Sequence, residues 1–504
     1  MWGAAVAALC FPPGPAWPGA LLGPVPLWVA ATGRTPRRGA WLGWAWGAGF
    51  FGALLWWLVP TLVRYGGLPW AAGVACAVLL CAYLALFPAA VGAFTALVSG
   101  RSAGWALALA PLAWTAAEGA RGWLLTGLPW GDLPQAFWSW QGALAAAPWV
   151  GVDGVRLLMA CAAAGPAWAL ALVLRRRPGG APLVVCALGV SVWGVLALSR
   201  PPLPPDAGDL RVGVVQGNID QAQKWDPAYR RSTLQTYEDL TLTLAARGPR
   251  LVVWPETAVP LYVQEPGPER ARIQRLARRT GLWLLFGAPA YERTARGTEY
   301  RNAVFLMDPR GRIAGRYDKV HLVPFGEYVP FGRYLPFLGK LVEGAGDFRP
   351  GEGVRPVGGD GLPRLGVLIC FEMIFPRLSA AQARQGAQVL VVVTNDGWFG
   401  RTPGPYQHLA FGAWRAAETG LPLVRAANTG ISGVFDRRGR LVTATTLMAR
   451  DAFVADIAYP GPGLTPQAFV RPWVSPASLV LALVGLFAIL RRPRPGAPAA
   501  RDPR

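Results

Sequence analysis

The chain has 504 residues, of which 53% are hydrophobic, and it is too long for a single hydrophobic core. Its formal net charge of +21 would suit nucleic acid if the basic residues formed a stripe with interleaved aromatic residues, but much of the arginine lies in short clusters between apolar runs. That pattern indicates a membrane protein, and no nucleic-acid partner is expected. With two histidines and no cluster of cysteine and histidine ligands, neither a metal site nor another cofactor is expected.

Apolar runs of about 20 residues predict membrane-spanning helices in the first 200 residues and again near the C-terminus. The first two runs are short and interrupted by proline. We interpret them as a retained pair of spans, because Met1 is not followed by the basic region of a cleaved signal peptide. The predicted spans are residues 2–14, 17–32, 41–63, 70–98, 105–126, 153–174, 182–199 and 473–490. The sequence thus predicts a polytopic α-helical bundle with about eight spans.

The basic clusters between the spans predict the orientation of the chain. With about eight spans, the clusters at residues 34–38, 101, 175–177 and 491–494 all fall on one side. Because basic loops remain in the cytoplasm, both termini are expected there, and the long segment before the last span is expected outside it. We therefore predict a membrane domain of about seven spans over 1–200, an extracytoplasmic catalytic domain over 206–472, a transmembrane helix over 473–490 and a basic cytoplasmic tail over 491–504.

Residues 206–472 have the composition of a soluble domain in which β-rich runs alternate with helical patterns. Strands are predicted at residues 210–215, 251–254, 283–287, 303–307, 365–370, 389–394 and 424–427. Helices are predicted near 228–246, 269–279, 376–385 and 405–419. This order predicts an α/β sheet whose functional groups lie at the strand ends.

Three strand ends or following loops carry candidate catalytic side chains. Glu256 follows a strand and has bulky apolar neighbours, a setting that favours a general base, although a solvated or helix-capping carboxylate would look the same. Lys319 and Glu327 lie in a loop punctuated by proline and glycine, where a lysine can stabilise an oxyanion or a charged loop can simply face solvent. Cys370, the one cysteine of the soluble domain, ends a buried strand before a helix, as a nucleophile or an inert thiol would.

The order of these segments resembles the Glu-Lys-Cys triad of the nitrilase, or carbon–nitrogen hydrolase, superfamily, whose fold is an α-β-β-α sandwich. The segments are Trp254-Pro255-Glu256, Tyr317-Asp318-Lys319 and Ile369-Cys370-Phe371-Glu372. The flanking membrane spans, the run 321–330 and the segments 216–227 and 394–400 are similar to those of one family in particular, the bacterial apolipoprotein N-acyltransferases. The resemblance covers nearly the whole chain, and the lysine-to-glutamate loop is its most specific part.

The resemblance implies a role for each member of the triad. Glu256 would be the base, Cys370 the nucleophile and Lys319 the oxyanion stabiliser, with Glu327 as a second carboxylate near the lysine. The supporting or substrate-binding residues would be Trp225, Glu327, Phe371, Glu372 and Trp398, and Trp225, Trp398 and residues 335–338 are expected near an acyl entrance. Phe371 departs from the family pattern, in which tyrosine is the commoner residue after the cysteine.

The resemblance also implies the reaction and its place. The family takes an acyl chain from a glycerophospholipid, holds it as a cysteine thioester, and passes it to the N-terminal amine of S-diacylglyceryl-cysteine in a lipoprotein, the last step of lipoprotein maturation. The expected partners are a phospholipid donor, a diacylated apolipoprotein acceptor and membrane lipids. The expected location is the inner, or cytoplasmic, membrane, with the catalytic domain on the periplasmic face. Two alternatives remain open: a membrane-tethered carbon–nitrogen hydrolase (amidase), and a transporter or scaffold whose soluble domain binds a ligand.

Overall fold

A computed structural model of the chain describes residues 1–201, 203–224, 226–295, 297–328 and 348–491. The N-terminal part is helical, and every predicted span contains at least one helical segment. Its helices are α1 (Trp2–Cys10), α2 (Val25–Ala31), α3 (Pro36–Leu54), α4 (Leu58–Arg64), α5 (Trp70–Leu84), α6 (Leu86–Ser99), α7 (Ala103–Arg121), α8 (Gln141–Leu144), α9 (Ala147–Val173) and α10 (Ala181–Leu198).

Four helical segments of the described chain are long and apolar enough to cross a membrane: Trp70–Ser99, α9, α10 and the C-terminal helix Gln467–Leu490. A fifth crossing is possible if α3 and α4, which meet at a bend of 55°, form one broken span. The first two predicted spans are shorter as helices than expected, since prolines 12 and 13 follow α1 and only seven residues form α2. The count of about eight spans therefore stays a prediction.

Close packing of glycines joins α3 to α6. A Cβ atom on Gly39 would lie 2.3 Å from the carbonyl oxygen of Gly92, and a Cβ on Gly43 would lie 2.1 Å from that of Pro88. Only glycine lets the two backbones approach so closely, as is common where helices pack within a membrane.

The remainder of the chain contains two β-sheets and their helices. The helices are α11 (Gln221–Lys224), α12 (Arg230–Ala245), α13 (Pro268–Thr280), α14 (Pro376–Arg384), α15 (Gly404–Thr419) and α16 (Gln467–Leu490). The strands are β1 (Asp206–Gln216), β2 (Leu251–Val253), β3 (Trp283–Thr294), β4 (Gly297–Met307), β5 (Ile313–Asp318), β6 (Leu365–Ile369), β7 (Val389–Thr394), β8 (Leu423–Ala427), β9 (Gly433–Phe435), β10 (Leu441–Ala444) and β11 (Asp451–Pro460).

The two sheets pack face to face. One has the strand order β11-β1-β2-β3-β4-β5 and the other β10-β9-β8-β7-β6, and strands β1-β2-β3 and β6-β7-β8 run parallel within them. Alternate side chains of both sheets fill the space between them, including Val212 and Val253 from the first and Val367 and Val391 from the second. Helices α12 and α13 cover the outer face of the first sheet, and α14 and α15 cover that of the second. The predicted α-β-β-α sandwich is confirmed.

The second sheet is the one that contacts the N-terminal helices α1 to α10, which we call the membrane part of the chain. Nearly every residue of α15 is buried, because one side of the helix packs on the sheet and the other packs on aromatic residues that include Trp57 and Trp130. An amphipathic helix at a protein surface would bury only one face. The membrane part and the sandwich therefore share one apolar core along α15.

All seven strands and four helices predicted in this part are present, but β3 ends seven residues later and β4 begins six residues earlier than predicted. Four strands, β5 and β9 to β11, were not predicted. β5 and β10 are short and have mostly exposed or half-buried residues, and β9 has only three residues. β11 pairs antiparallel with β1 at the edge of its sheet.

The glycine contact predicts that Gly39→Val destabilises the protein. The new side chain must push α3 away from α6, and overpacking of this kind costs about 1–3 kcal/mol. Thermal unfolding of the purified protein in detergent, followed by tryptophan fluorescence, should show a lower midpoint. Gly52→Val in the same helix is the matched control, because a Cβ there has no atom within 4 Å. Equal midpoints for the two variants would contradict the account.

Candidate active site

Cys370 lies at a sharp turn between a buried strand and a helix. All five residues of β6 are buried, Cys370 then begins a short 3₁₀ turn that ends at Ile374, and α14 follows. The backbone of Cys370 has a φ of 53°, in the left-handed region that residues other than glycine rarely occupy. Such strain persists only where the surrounding structure holds it in place, and it is common at catalytic residues. Cys370 as a whole residue is half-buried.

Glu256 is held at the end of β2 by its neighbours. The buried ring of Trp254 stacks on Tyr237 and anchors the end of the strand. Gly287 on β3 leaves room for the turn that carries Glu256, because a Cβ atom on Gly287 would lie 2.7 Å from the Cα of Glu256. The Glu256 carboxylate is 7% exposed. Its Oε1 accepts a hydrogen bond from Asn302, whereas its Oε2 has no partner among the described residues. One oxygen is thus positioned and the other is available for a proton.

Lys319 follows β5 and is 1% exposed. Its Nζ lies 2.9 Å from Glu327 Oε2, 3.0 Å from Glu327 Oε1 and 3.9 Å from Glu256 Oε1. A buried ammonium is stable only beside opposite charge, so the two carboxylates hold this cation in the site. Burial alone would lower the pKa of Lys319, but the charges of Glu327 and Glu256 outweigh it and raise that pKa above its usual value. Lys319 is therefore a permanent cation near neutral pH.

Asn302 is a site residue that the sequence did not reveal. Its Nδ2 lies 2.8 Å from both Glu256 Oε1 and Glu327 Oε1, and its backbone oxygen accepts from the Lys319 N–H. It occupies β4 next to Ala303, where the predicted strand began, so its polar side chain looked like part of a preceding loop. A polar residue immediately before the apolar run 303–307 was the available signal.

Glu372 joins the lysine segment to the cysteine turn. Its fully buried carboxylate accepts hydrogen bonds from the Tyr317 hydroxyl and from the backbone N–H groups of Val320, His321 and Ile369. Burial raises the pKa of Glu372 to about 7, against the opposing effect of these hydrogen bonds and of the Lys319 charge. Since its oxygens are occupied by these donors, Glu372 positions the other groups.

The surroundings keep the resting Cys370 thiol neutral. Burial raises the pKa of the Cys370 thiol well above its usual range, and the charge of Glu256 adds to this effect. The charge of Lys319 lowers that pKa, but its effect is the smaller one. A nucleophilic role for this thiol would therefore require a base that removes its proton.

A second lysine contacts Glu256. Lys224 is 2% exposed, and its Nζ donates to the backbone oxygen of Glu256 at 2.8 Å. Burial lowers the pKa of Lys224 to about 8, although the nearby charge of Glu256 favours its protonated form. Its hydrogen bond helps to fix the turn that carries Glu256.

Comparison with known proteins identifies relatives of both the N-terminal helical part and the sandwich. Residues 211–462 match the carbon–nitrogen hydrolase family model, and residues 3–165 match that of the apolipoprotein N-acyltransferase N-terminal domain. The chain is 39% identical over 448 residues to the apolipoprotein N-acyltransferase of Geobacter metallireducens, covering 87% of this chain and 85% of that protein. It is 36% identical to that of Brucella melitensis, covering 93% and 91%, and 35% identical to that of Methylococcus capsulatus, covering 92% and 90%.

The chain belongs to the apolipoprotein N-acyltransferase family. Both the membrane part and the sandwich contribute to this membership, since each has its own family model. The side chains of Glu256, Lys319 and Cys370, which interact electrostatically, follow three different strands of the two sheets.

The residues expected to support the triad fall in different places. Phe371 packs among rings, 5.9 Å from that of His321 and 5.2 Å from that of Phe375 between centroids, so its position does not call for a hydroxyl group. Trp398 contacts the membrane part: its ring packs on Tyr65, and its backbone oxygen accepts from Thr61. Trp225 and residues 335–338 lie outside the described residues, so their expected place at an acyl entrance stays a prediction.

The electrostatics predict opposite effects of two substitutions on the apparent pKa of Cys370. Glu256→Gln removes a negative charge and should lower that pKa, whereas Lys319→Met removes a positive charge and should raise it. The rate of Cys370 alkylation by iodoacetamide as a function of pH, read by peptide mass spectrometry, reports both shifts. Glu352→Gln, on an exposed loop, is the control and should leave the profile unchanged. Shifts of the same sign in both variants would contradict the arrangement.

Proposed function

We propose that the protein is an apolipoprotein N-acyltransferase. It transfers an acyl chain from a glycerophospholipid, through a thioester on Cys370, to the N-terminal amine of a diacylglyceryl-cysteine lipoprotein. The observation that carries this proposal is the convergence of Glu256, Lys319 and Cys370 in a family whose curated members share this name over most of their length.

The first half-reaction acylates the cysteine. Glu256 takes the thiol proton on its unpaired Oε2 while the sulfur attacks the ester carbonyl carbon of the phospholipid. The carbonyl oxygen becomes an oxyanion, which the buried Lys319 ammonium stabilises. The carbon–oxygen bond to the glycerol then breaks, and the departing lysophospholipid oxygen receives the proton from Glu256. The products are a Cys370 thioester and a lysophospholipid.

The second half-reaction transfers the acyl group. Glu256, again ionised, removes a proton from the acceptor amine, and the amine nitrogen attacks the thioester carbonyl. Lys319 stabilises the second oxyanion. The carbon–sulfur bond breaks, and the proton returns to sulfur, which leaves an amide on the lipoprotein and a free thiol. Because the lysophospholipid departs before the acceptor reacts, we expect ping-pong kinetics.

The membrane part explains why both substrates can be lipids. Removing an acyl chain from a bilayer costs about 0.8 kcal/mol for each CH₂ group, so a site for two lipid-anchored substrates must open at the membrane. The apolar core that α15 shares with Trp57 and Trp130 fixes the sandwich against the membrane helices. A soluble amidase of the same superfamily needs no such contact, and this favours acyl transfer over hydrolysis.

We propose the following orientation on the basis of the basic clusters. The sandwich faces the periplasm, and the loops that contain Arg37, Arg101 and Arg176 face the cytoplasm, with both termini also cytoplasmic. The host membrane is then the inner membrane, where the diacylated substrate and the phospholipid donor occur together.

Incubation with phospholipid alone should add one acyl chain to the protein. Intact-mass measurement should show the increment in the wild type and its absence in Cys370→Ala, and addition of a diacylated peptide should remove it and yield a triacylated peptide. Cys76→Ala, which removes an exposed thiol, is the control and should acylate normally. If the peptide remained unmodified while small amides were hydrolysed, the protein would be an amidase, and no adduct on the wild type would favour a binding protein.

The orientation predicts which engineered cysteines react from outside the cell. Thr298→Cys lies at the exposed end of β4 and Arg37→Cys lies at the exposed start of α3, each in a chain that also carries Cys76→Ala. A membrane-impermeant maleimide should label the first in intact spheroplasts and the second only after permeabilisation. The reverse pattern would place the catalytic domain in the cytoplasm.

A further inference from the structure

A buried histidine contacts the backbone of Cys370, the proposed nucleophile. His408, on α15, is 1% exposed, and its Nε2 lies 3.2 Å from the carbonyl oxygen of Cys370. This carbonyl belongs to the residue whose backbone is held in the left-handed region. The catalytic steps described above make no use of His408.

Two charged groups fix the imidazole from its other side. The Nδ1 of His408 lies 2.9 Å from Asp396 Oδ1 and 3.1 Å from Arg425 Nη2, and Arg425 also pairs with Asp396 Oδ2 at 2.6 Å. All three side chains are almost completely buried, and Thr394 donates a further hydrogen bond to Asp396. Arg425 and His408 hold the pKa of the Asp396 carboxyl well below its usual range despite burial. The ring therefore has one orientation, with Nε2 directed at Cys370.

The same histidine contacts a loop of the membrane part. The ring of Trp130, which lies between α7 and α8, stacks on the imidazole at 5.8 Å with an interplanar angle of 24°. The neighbouring Gln407 accepts hydrogen bonds on Oε1 from the indole N–H groups of Trp130 and Trp57. Its backbone oxygen accepts from Gln135. Side chains from two membrane segments thus hold the turn of α15 that presents His408.

We propose that His408 is a positioning residue. It couples the position of the loop that contains Trp130 to the backbone conformation of Cys370. Its hydrogen bond fixes the peptide plane between Cys370 and Phe371. Because C=O and N–H point in opposite directions in a trans peptide, the bond also sets the direction of the Phe371 N–H. When the ring moves, the strained turn relaxes and the sulfur leaves its attacking position.

This inference rests on the proposed acyl chemistry of Cys370 but not on the identity of its substrates. It can be tested with p-nitrophenyl acetate, an activated ester that requires no lipid or peptide recognition. The pre-steady-state release of nitrophenol measures acylation of Cys370, with Cys370→Ala as the blank. If the wild type reacts with the ester but not with phospholipid, the proposed function fails, and the positioning role of His408 is still measured.

A pair of substitutions separates the two nitrogens of His408. A glutamine amide can reach the position of Nε2 and donate to the Cys370 carbonyl, whereas an asparagine amide reaches only the position of Nδ1. His408→Asn should slow acylation on the order of 100-fold, the effect of misplacing a reacting group by about 1 Å, with little change in the ester concentration at half-maximal rate. His408→Gln should stay within about tenfold of the wild type.

Equal losses in the Asn and Gln variants, or a loss confined to the half-saturating concentration, would overturn the positioning role. Trp130→Leu tests the coupling without altering the histidine, and it also serves if His408→Asn does not fold. A slower acylation rate at an unchanged half-saturating concentration supports the coupling. Wild-type acylation in Trp130→Leu would overturn it.

Discussion

The site depends on one buried cation held between two carboxylates. Lys319 could not remain charged in this interior without Glu256 and Glu327, and removing one partner of a buried ion pair commonly costs about 3–5 kcal/mol. The same arrangement sets the chemistry. In the proposed mechanism Lys319 is available for an oxyanion, Glu256 keeps one oxygen unpaired, and the net effect of burial and charge keeps the thiol protonated until a substrate arrives.

This cluster requires contributions from both sheets. Glu256, Asn302 and Lys319 come from the first sheet, and Cys370 comes from the second, so the site exists only when the two sheets are packed together. Glu372 makes the link direct, because it binds the backbone on both sides of the junction. The membrane part adds a third constraint through α15. The favourable packing of the core therefore offsets the cost of the strained backbone and the buried charges at the site.

The hydrophobic periodicity predicted an α/β sheet and its main strands. The sandwich, and the strand ends that would meet, were implied by the resemblance that the order of Glu256, Lys319 and Cys370 carries. The pattern could not reveal Asn302, whose role depends on two carboxylates that are distant in sequence. Nor could it reveal His408, which looked like one polar residue in a helix that is buried on both sides. Glu372 adjoins the nucleophile in sequence, but its contacts with Val320 and His321 appear only in the fold. Contacts between distant segments account for what was missed.

The central claim is that the Cys370 thioester lies on the path from lipid to lipoprotein. The most direct measurement is to acylate the enzyme with a phospholipid that carries an isotopically labelled acyl chain, remove all free lipid, and then add a diacylated peptide in a single turnover. The account predicts that the label leaves Cys370 and appears in an amide at the peptide N-terminus, at a rate no slower than steady-state turnover. Label that stayed on the enzyme, or appeared only as free fatty acid, would contradict it.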